Sequence, residues 1–268
     1  MKKGFLKQKR PRLRSRLHFL RRSLLIRLKL LLIVGLVFPA SSQAGDVSTQ
    51  LENLGRDLIA PIRKPRLMIG GTVLSLTTYP LSKTSFQKDI AESRPLGEAS
   101  NIGYQLGFWR SNVAYVAGVS LYGWISGDSA AYGKAILMAR ASIYTSLLTQ
   151  GLKALHMEER PRRGGDFGSF PSGHASNAFV MAGVIYRNHG IAWGVGSFAV
   201  ASFIGFSRMN DNAHYLHDVL FGATLGLGYA FGLDGQWGQK DDEGVARYQL
   251  FPILAGSSTG LGVQIRLN

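Results

Sequence analysis

The sequence predicts an all-α fold, a helical bundle followed by a short C-terminal β-hairpin. Three observations support this fold class: an apolar share of 46% with only 9 prolines in 268 residues, several long stretches without charged residues, and two strand-like runs near the C-terminus. A chain of this length and composition can bury one sizeable core. Because no internal repeat or low-complexity linker follows residue 45, we expect one main domain.

The first 44 residues differ from the rest in charge. They contain twelve Lys and Arg and no acidic residue, so the remainder carries only about +3 of the formal net charge of +15. This basic segment leads into LKLLLIVGLVF and then PASSQAGD, a pattern that predicts a signal peptide over residues 1–44, cut before Gly45. Arg21-Arg22 weakly resembles a twin-arginine signal, so the export route stays open.

Export predicts a location in the periplasm or cell envelope. The alternative for the basic segment is a DNA-binding arm, but such arms do not lead into an apolar run with a small-residue exit. We therefore expect no nucleic-acid partner. The absence of Cys excludes disulfides and thiolate metal ligands, which an exported helical protein with a real core does not need.

Helices are predicted along most of the chain after residue 45. Residues 48–59 have the apolar spacing of an amphipathic helix, and a sparsely charged helix is expected over about 130–155. Four stretches lack charged residues: 67–82, 111–127, 190–207 and 219–233. Each is about 15–18 residues long, short of the ~20 that a membrane-spanning helix normally needs. Buried bundle helices are therefore favoured, and a membrane-embedded bundle remains the alternative.

The C-terminal tail has a different pattern. RYQLFPIL (247–254) and LGVQIRL (261–267) flank a Gly-Ser-Ser-Thr-Gly turn, which predicts a hairpin of two short strands. Pro252 would place its strand at an edge, because proline cannot donate to a ladder.

The stretch FPSGHAS, residues 170–176, is typical of a helix start. Pro171 predicts that a helix begins here, which would leave the backbone N–H groups of Ser172, Gly173 and His174 free at the positive end of the helix dipole. Such an end binds anions readily. Taken alone, a Pro-Ser-Gly helix start is more often only a cap.

The stretch SRMNDNAHYLHD, residues 207–218, places polar groups between apolar helices. His214 and Asp218 are four residues apart, so on one helix they would share a face, where Asp218 could hold one tautomer of the imidazole. Asp211 and Asn212 are predicted as turn and N-cap residues. Any single His is more often structural than catalytic, so the weight rests on the combination.

Three motifs occur in order between residues 106 and 235. Lys153 is followed seven residues later by Arg160-Pro161, PSGH occupies 171–174, and Ser207-Arg208 is followed by His214 and Asp218. This set resembles the signature of the type 2 phosphatidic acid phosphatase and vanadium haloperoxidase superfamily, with matching internal spacing in all three motifs. The resemblance implies a helical bundle of the type 2 phosphatidic acid phosphatase kind. Residues 45–105 and 237–268 lie outside it.

The resemblance implies a role for each motif residue. His214 would be the nucleophile that forms a phosphohistidine, Asp218 would orient it, and His174 would protonate the leaving oxygen. The implied phosphate ligands are Lys153, Arg160, Ser172, Gly173 and Arg208. Three cations and a helix N-terminus can neutralise a phosphoryl group without a metal or a cofactor, so none is expected.

These assignments divide the chain into four predicted parts. They are a signal peptide (1–44), an N-terminal helical segment (45–105), a phosphatase catalytic core (106–236) and a C-terminal tail (237–268). The expected activity is an exported phosphatase acting on phosphomonoesters or diphosphates. The apolar helices and the resemblance favour a lipid phosphate as substrate, with the membrane as a second partner.

Other functions use the same residues. His174, His214, His217 and Asp218 could instead bind a metal, although three converging cations would repel a dication. A soluble unspecific acid phosphatase, a phosphotransferase and a vanadium haloperoxidase are further alternatives, as is a lipid-phosphate-binding protein without activity. Between the two neighbouring imidazoles, we predict that His214 is catalytic and that His217 only packs or contacts solvent.

Overall fold

The computed structural model describes residues 47–162, 165–233, 247–255 and 258–266, all within one unit spanning Ser41–Asn268. The predicted signal peptide lies outside the described residues. Nine α-helices occur in this part of the chain, which confirms the helical bundle. They are α1 (Val47–Leu58), α2 (Pro65–Thr78), α3 (Ser85–Ser93), α4 (Ala99–Leu106), α5 (Trp109–Ser126), α6 (Ser129–Lys153), α7 (Gly173–His189), α8 (Ile191–Asn210) and α9 (Leu216–Gly232).

Short 3-10 turns at Ala60–Arg63 and Tyr79–Lys83 flank α2. The amphipathic, apolar and sparsely charged stretches of the sequence correspond to α1, α2, α5, α6, α8 and α9. The short helices α3 and α4 were not predicted, because their 9 and 8 residues carry too little apolar periodicity to stand out.

Two strands, β1 (Arg247–Ala255) and β2 (Ser258–Arg266), pair in antiparallel register with Arg247 opposite Arg266. They occupy the region where the sequence predicts a short C-terminal hairpin, and that hairpin stays a prediction.

The hydrophobic core lies between α6, α7 and α9. Its fully buried side chains include Met138, Val180, Val184, Tyr229 and Leu233. Glycines let α9 approach α7 closely: a Cβ at Gly222 would lie 2.5 Å from the Ser172 carbonyl oxygen, and one at Gly226 would lie 2.5 Å from that of Ser176. This packing brings the starts of α7 and α9 together at one end of the bundle.

A buried ion pair fastens α1 to α6. The Arg140 guanidinium donates to both carboxylate oxygens of Asp57, with Nη2–Oδ1 at 2.6 Å and Nη2–Oδ2 at 2.7 Å. Both residues are buried. Arg–carboxylate pairs of this forked kind add geometric specificity as well as energy.

Most of the large apolar side chains of α2 and α5 face outward rather than into the core. The buried residues of α5 are Asn112 and Gly123, and that of α2 is Ser75. The interpretation of these two helices as buried is therefore wrong, because polar and small residues take their buried positions, and only a few apolar ones, such as Tyr115 and Val116, pack partly against the core. The exposed apolar side chains on these helices include Ile69, Val73, Leu74, Val113, Leu121, Trp124 and Ile125.

Helix α8 also exposes apolar side chains, among them Ile191, Trp193 and Val195. Of the helices the structure describes, α8 is the one that passes the length and composition test for crossing a membrane. A single such helix is weak evidence, since core helices of soluble proteins can pass the same test.

Candidate active site

The residues predicted from the three motifs meet at one end of the bundle, where α6 and α8 end and α7 and α9 begin. Lys153 is the last residue of α6, and Gly173 and His174 open α7. A Cβ on Gly173 would lie 3.9 Å from Lys153 Cε. Arg208 lies in the last turn of α8, and Asp218 in the first turn of α9. The loop residue Arg160 contacts His214.

His214 and Asp218 are adjacent but do not share a helix. Helix α9 begins only at Leu216, with Tyr215 as its N-cap, so the expected shared helical face and the N-cap role of Asn212 are both wrong. The Asp218 carboxylate instead turns back over the helix start. Its Oδ2 lies 3.5 Å from His214 Nδ1, a distance within ion-pair range but long for a hydrogen bond.

The neighbours of His214 define its tautomer. Arg160 Nη1 lies 3.2 Å from His214 Nε2 and also donates to the Ala213 carbonyl oxygen. Because a guanidinium can only donate, Nε2 must accept, which leaves the ring proton on Nδ1 facing Asp218. The Nε2 lone pair therefore points toward the cationic groups of the site.

The Asp218 carboxylate is held from several sides. Its Oδ2 accepts hydrogen bonds from the Ser169 hydroxyl at 2.6 Å and from the Tyr215 backbone N–H at 2.9 Å. Burial by itself raises the pKa of the Asp218 carboxyl, but its contacts with His214, Ser169 and His217 outweigh burial and hold that pKa below its ordinary value. Asp218 is therefore an anion in this site.

Burial governs the protonation of both predicted catalytic histidines. It lowers the pKa of His214 to about 4 against the opposing effect of Asp218, and the charges of Lys153 and Arg160 lower it further. His174 reaches a pKa of about 3, mainly through burial and then through the charges of Arg208, His214 and Arg160. Both imidazoles are neutral near pH 7 when the site holds no anion.

His174 packs against two aromatic rings. Tyr104 stacks on its ring at 5.1 Å between centroids, and Phe108 lies tilted at 4.9 Å. The His174 ring also bonds to the Tyr104 backbone. Its Nε2 is buried and has no hydrogen-bond partner among the described residues, so this atom is available for a substrate oxygen.

Three cationic side chains surround the two imidazoles. Burial and the charge of Arg160 lower the pKa of Lys153 to about 8, and its Nζ donates to the carbonyl oxygens of Gly168 and Ser169. Arg208 is paired with Asp211 at 2.7 Å and lies over the Tyr104 ring at 5.0 Å. Asp211, expected only as a turn residue, therefore also fixes the position of Arg208.

The start of α7 differs in one detail from the expectation. The Ser172 N–H is not free, because it donates to the Asp218 carbonyl oxygen at 3.0 Å. Ser172 is instead the N-cap, and its hydroxyl accepts from the Ala175 N–H at 3.4 Å. The N–H groups of Gly173 and His174 occupy the first turn, where a helix has no intrahelical partners for them.

Several residues that shape the site were missed in the sequence. Ser169 holds Asp218, Tyr104 and Phe108 contact His174, and the Ser100 carbonyl oxygen accepts from Arg208 Nη2 at 3.2 Å. Ser100 and Tyr104 belong to α4, in the segment outside the family resemblance. No local pattern distinguishes them, since their contacts are made only after folding.

The metal alternative does not fit the observed contacts. His214 Nε2 faces the Arg160 guanidinium, which would repel a cation at that nitrogen. Among the described residues, Glu158, His217 and Asp218 bring ligand atoms within 4.8 Å of one another. Two of these atoms, His217 Nε2 and Glu158 Oε2, are 2.5 Å apart and hydrogen-bond directly to each other.

Residues 139–234 match the family model described as the PAP2 superfamily. All three motifs lie within this segment, so the match to the PAP2 superfamily model confirms the resemblance drawn from the sequence. In the bundle, the matched segment runs from the second half of α6 to the end of α9.

The fold is similar to that of a solved structure, a transmembrane PAP2 type phosphatidylglycerolphosphate phosphatase from Bacillus subtilis. The two share 22% sequence identity with a TM-score of 0.51, and the alignment covers 65% of this chain and 93% of the other. At this identity the likeness concerns the fold alone.

Two curated proteins are similar in sequence. The lipid A 1-phosphatase of Porphyromonas gingivalis is 40% identical over 62 residues, which is 22% of this chain and 14% of that protein. The probable diacylglycerol pyrophosphate phosphatase 1 of Schizosaccharomyces pombe is 34% identical over 102 residues, which is 33% of this chain and 32% of that protein. The chain thus spans less than a third of the length of either relative.

Proposed function

We propose that this protein is a phosphatase that removes phosphate from lipid phosphomonoesters or diphosphates through a phosphohistidine on His214. The observation that carries the proposal is the geometry of His214. Its Nε2 lone pair faces the cationic groups, and its Nδ1 proton faces Asp218. The two similar curated proteins are both named as phosphatases, which supports the same class of activity here.

The proposed reaction has two steps. His214 Nε2 attacks phosphorus, so that the P–N bond forms while the P–O bond to the leaving group breaks, and His174 Nε2 gives its proton to the leaving oxygen. Water then attacks the phosphohistidine, His174 accepts a proton from that water, and the P–N bond breaks to release inorganic phosphate. Asp218 stabilises the charge that develops on the His214 ring.

The role of His174 as an acid depends on the bound phosphate. Burial and then the neighbouring cations hold its pKa at about 3 when the site holds no anion. A bound phosphate adds negative charge beside the ring, which raises the pKa of His174 and favours its protonation. Lys153, Arg160 and Arg208 neutralise the same phosphate, which is the largest contribution to catalysis expected for phosphoryl transfer.

The outward apolar faces support a lipid as the substrate. Helices α2, α5 and α8 each expose apolar side chains, and Trp109 and Trp124 lie near opposite ends of α5, about 22 Å apart by helix rise. Tryptophan is enriched where a membrane meets water. The candidate site lies at the Trp109 end of α5, since the neighbouring Phe108 contacts His174, and a lipid headgroup would be bound there.

A phosphotransferase remains the second candidate, because any acceptor hydroxyl that reaches the phosphohistidine can replace water. The similarity to two phosphatases favours hydrolysis. A lipid-phosphate-binding protein would use fewer of the observed contacts, since binding alone does not require the Arg160–His214–Asp218 arrangement that prepares a nucleophile.

The decisive experiment traps the covalent intermediate. The full chain, purified in detergent, is mixed with a ³²P-labelled lipid phosphate. The reaction is quenched in acid, and the labelled residue is identified by peptide mapping. We expect an acid-labile, base-stable label on His214, and we expect His214→Ala to abolish both label and phosphate release. His189→Ala, at the opposite end of α7, is the matched control and should keep the label. A label on any other residue would contradict the proposal.

A second test concerns metals. Because protein cations neutralise the phosphate, phosphate release should persist in EDTA, and vanadate should inhibit by occupying the same cationic site. Changing Arg160 to Ala should weaken vanadate inhibition at least as much as it weakens substrate binding. Activity that is lost in EDTA and restored by zinc would instead support the metal alternative.

A further inference from the structure

His217 packs against aromatic rings, as one of the two roles expected from the sequence has it, but it does not contact solvent and it also makes polar contacts. It is 3% exposed, and its ring stacks on that of Tyr215 with centroids 5.5 Å apart and planes 10° apart. Its Nε2 lies between two carboxylates, 2.5 Å from Glu158 Oε2 and 3.4 Å from Asp218 Oδ1. A buried imidazole in this position is neither a solvent contact nor a simple filler of the core.

The proton on His217 can be located from its partners. A carboxylate only accepts hydrogen bonds, so Nε2 must carry a hydrogen, which it donates to Glu158 while it faces Asp218. Asp218 therefore has an imidazole on each side: His214 at Oδ2 and His217 at Oδ1. Oδ1 has no hydrogen-bond partner among the described residues, so its contact with His217 is electrostatic.

Chain geometry brings Glu158 to this place. It lies in the loop after α6, where its backbone forms a parallel bridge with Gly168 and its carbonyl oxygen accepts from the Ser169 N–H at 3.1 Å. Ser169 in turn donates its hydroxyl to Asp218. The loop thus contacts Asp218 both directly, through Ser169, and indirectly, through Glu158 and His217.

We propose that Glu158 and His217 are positioning residues that hold the Asp218 carboxylate toward His214 and limit the negative charge it presents to that ring. This rests on the proposed function, because it concerns the basicity of the proposed nucleophile. Glu158 fixes the His217 ring, and the Nε2–H of His217 attracts charge toward Oδ1 and away from Oδ2. Other charged or titratable groups around these residues are Lys153, Glu159, Arg160, Tyr79 and Tyr215.

Substitutions of His217 and of Glu158 should change the basicity of His214 in opposite directions. In His217→Leu the donor at Oδ1 is lost, so Asp218 holds the His214 proton more strongly and His214 becomes more basic. In Glu158→Gln a negative charge is lost while a hydrogen-bond acceptor for His217 is kept, so His214 becomes less basic. A purely structural role for the pair predicts no such opposition.

The experiment measures the pH profile of kcat/KM for nitrophenyl phosphate with the full chain in detergent. The acid limb of this profile is the low-pH range in which kcat/KM rises as His214 loses its proton. We expect this limb to move to higher pH in His217→Leu and to lower pH in Glu158→Gln. His217→Leu should also lower kcat/KM near neutral pH by roughly 10- to 100-fold, the effect of losing the hydrogen bond between His217 and the Glu158 carboxylate. His217→Gln restores an N–H donor and should recover most of that loss.

Controls separate this proposal from its rivals. Glu92→Gln removes an exposed carboxylate on α3 and should leave the profile unchanged. If the acid limb lies at the wild-type pH in both His217→Leu and Glu158→Gln while His214 is still required for activity, the positioning role is wrong and the proposed function is unaffected. Stoichiometric zinc binding that both substitutions abolish would show a metal site instead. A wild-type protein without phosphatase activity would instead contradict the proposed function.

Discussion

At the residue scale, the candidate site is a set of buried groups whose charges suit an incoming anion. His174 has a pKa of about 3, His214 of about 4 and Lys153 of about 8, and burial is the largest cause for all three. A phosphate dianion would raise all three pKa values, because it favours every protonated form. Substrate binding and protonation are therefore coupled in this site.

The pH dependence of kcat/KM should show this coupling at Lys153. Its ammonium is present below pH about 8 and is lost above it, so kcat/KM should fall as pH rises through about 8. The corresponding limb of kcat should lie at higher pH, because bound phosphate raises the pKa. Lys153→Arg should remove the limb from the accessible range, since arginine stays charged. An unchanged limb in Lys153→Arg would assign it to another group.

At the element scale, the site depends on how helix ends approach one another. Gly107, which follows α4, lies against His174: a Cβ there would be 2.6 Å from His174 Cδ2 and 2.8 Å from Ile204 Cγ2. Its φ of −73° is open to any residue, so the requirement for glycine is steric and not conformational. The junction of α4 and α5 therefore fixes the position of the His174 ring.

Gly107→Ala should displace His174 and slow the reaction. A shift of about 1 Å can cost roughly 100-fold in rate. The loss should be larger for a lipid phosphate than for nitrophenyl phosphate, whose leaving group needs little protonation. Gly118→Ala on α5 is the control, because a Cβ there meets nothing within 4 Å. Equal losses on both substrates would argue that Gly107 acts through the fold and not through His174.

At the scale of the whole molecule, the bundle carries apolar side chains outside as well as inside. The core between α6, α7 and α9 is apolar, yet α2, α5 and α8 also expose large apolar residues over most of their length. Where such side chains form a contiguous surface, they mark an interface with a protein or a membrane. The exposed apolar side chains, the tryptophans near the ends of α5 and the proposed lipid substrate are all consistent with a membrane.

Tryptophan fluorescence tests this orientation. Trp109, Trp124 and Trp193 are exposed on α5 and α8, so brominated lipids should quench part of the emission of the reconstituted protein. Trp124→Phe and Trp193→Phe together should lower the quenched fraction. If bromine placed along the acyl chains quenches no more than soluble iodide does, the exposed apolar side chains of α5 and α8 contact something other than lipid.

Export remains a prediction from the sequence, because residues 1–44 lie outside the described part of the chain. N-terminal sequencing of the mature protein should find a start at or near Gly45. Intact residues 1–44 on all of the protein would indicate an uncleaved anchor instead.

The sequence by itself determined the helices with long apolar or amphipathic patterns and the identity of the motif residues, because periodicity and spacing along the chain are local properties. It did not determine α3 and α4, which are short. It also misplaced the start of α9, since the side chain of Asp218 caps Tyr215 and leaves His214 outside the helix.

Only the tertiary structure decided which side of each helix faces the core and which distant groups meet. An uncharged helix has the same pattern whether its apolar residues face a core or a membrane, so the outward faces of α2 and α5 could not be predicted. Glu158 and His217 are 59 residues apart in sequence, yet their side chains form one hydrogen bond. Such contacts depend on the packing of α6, α7 and α9, and no local pattern encodes them.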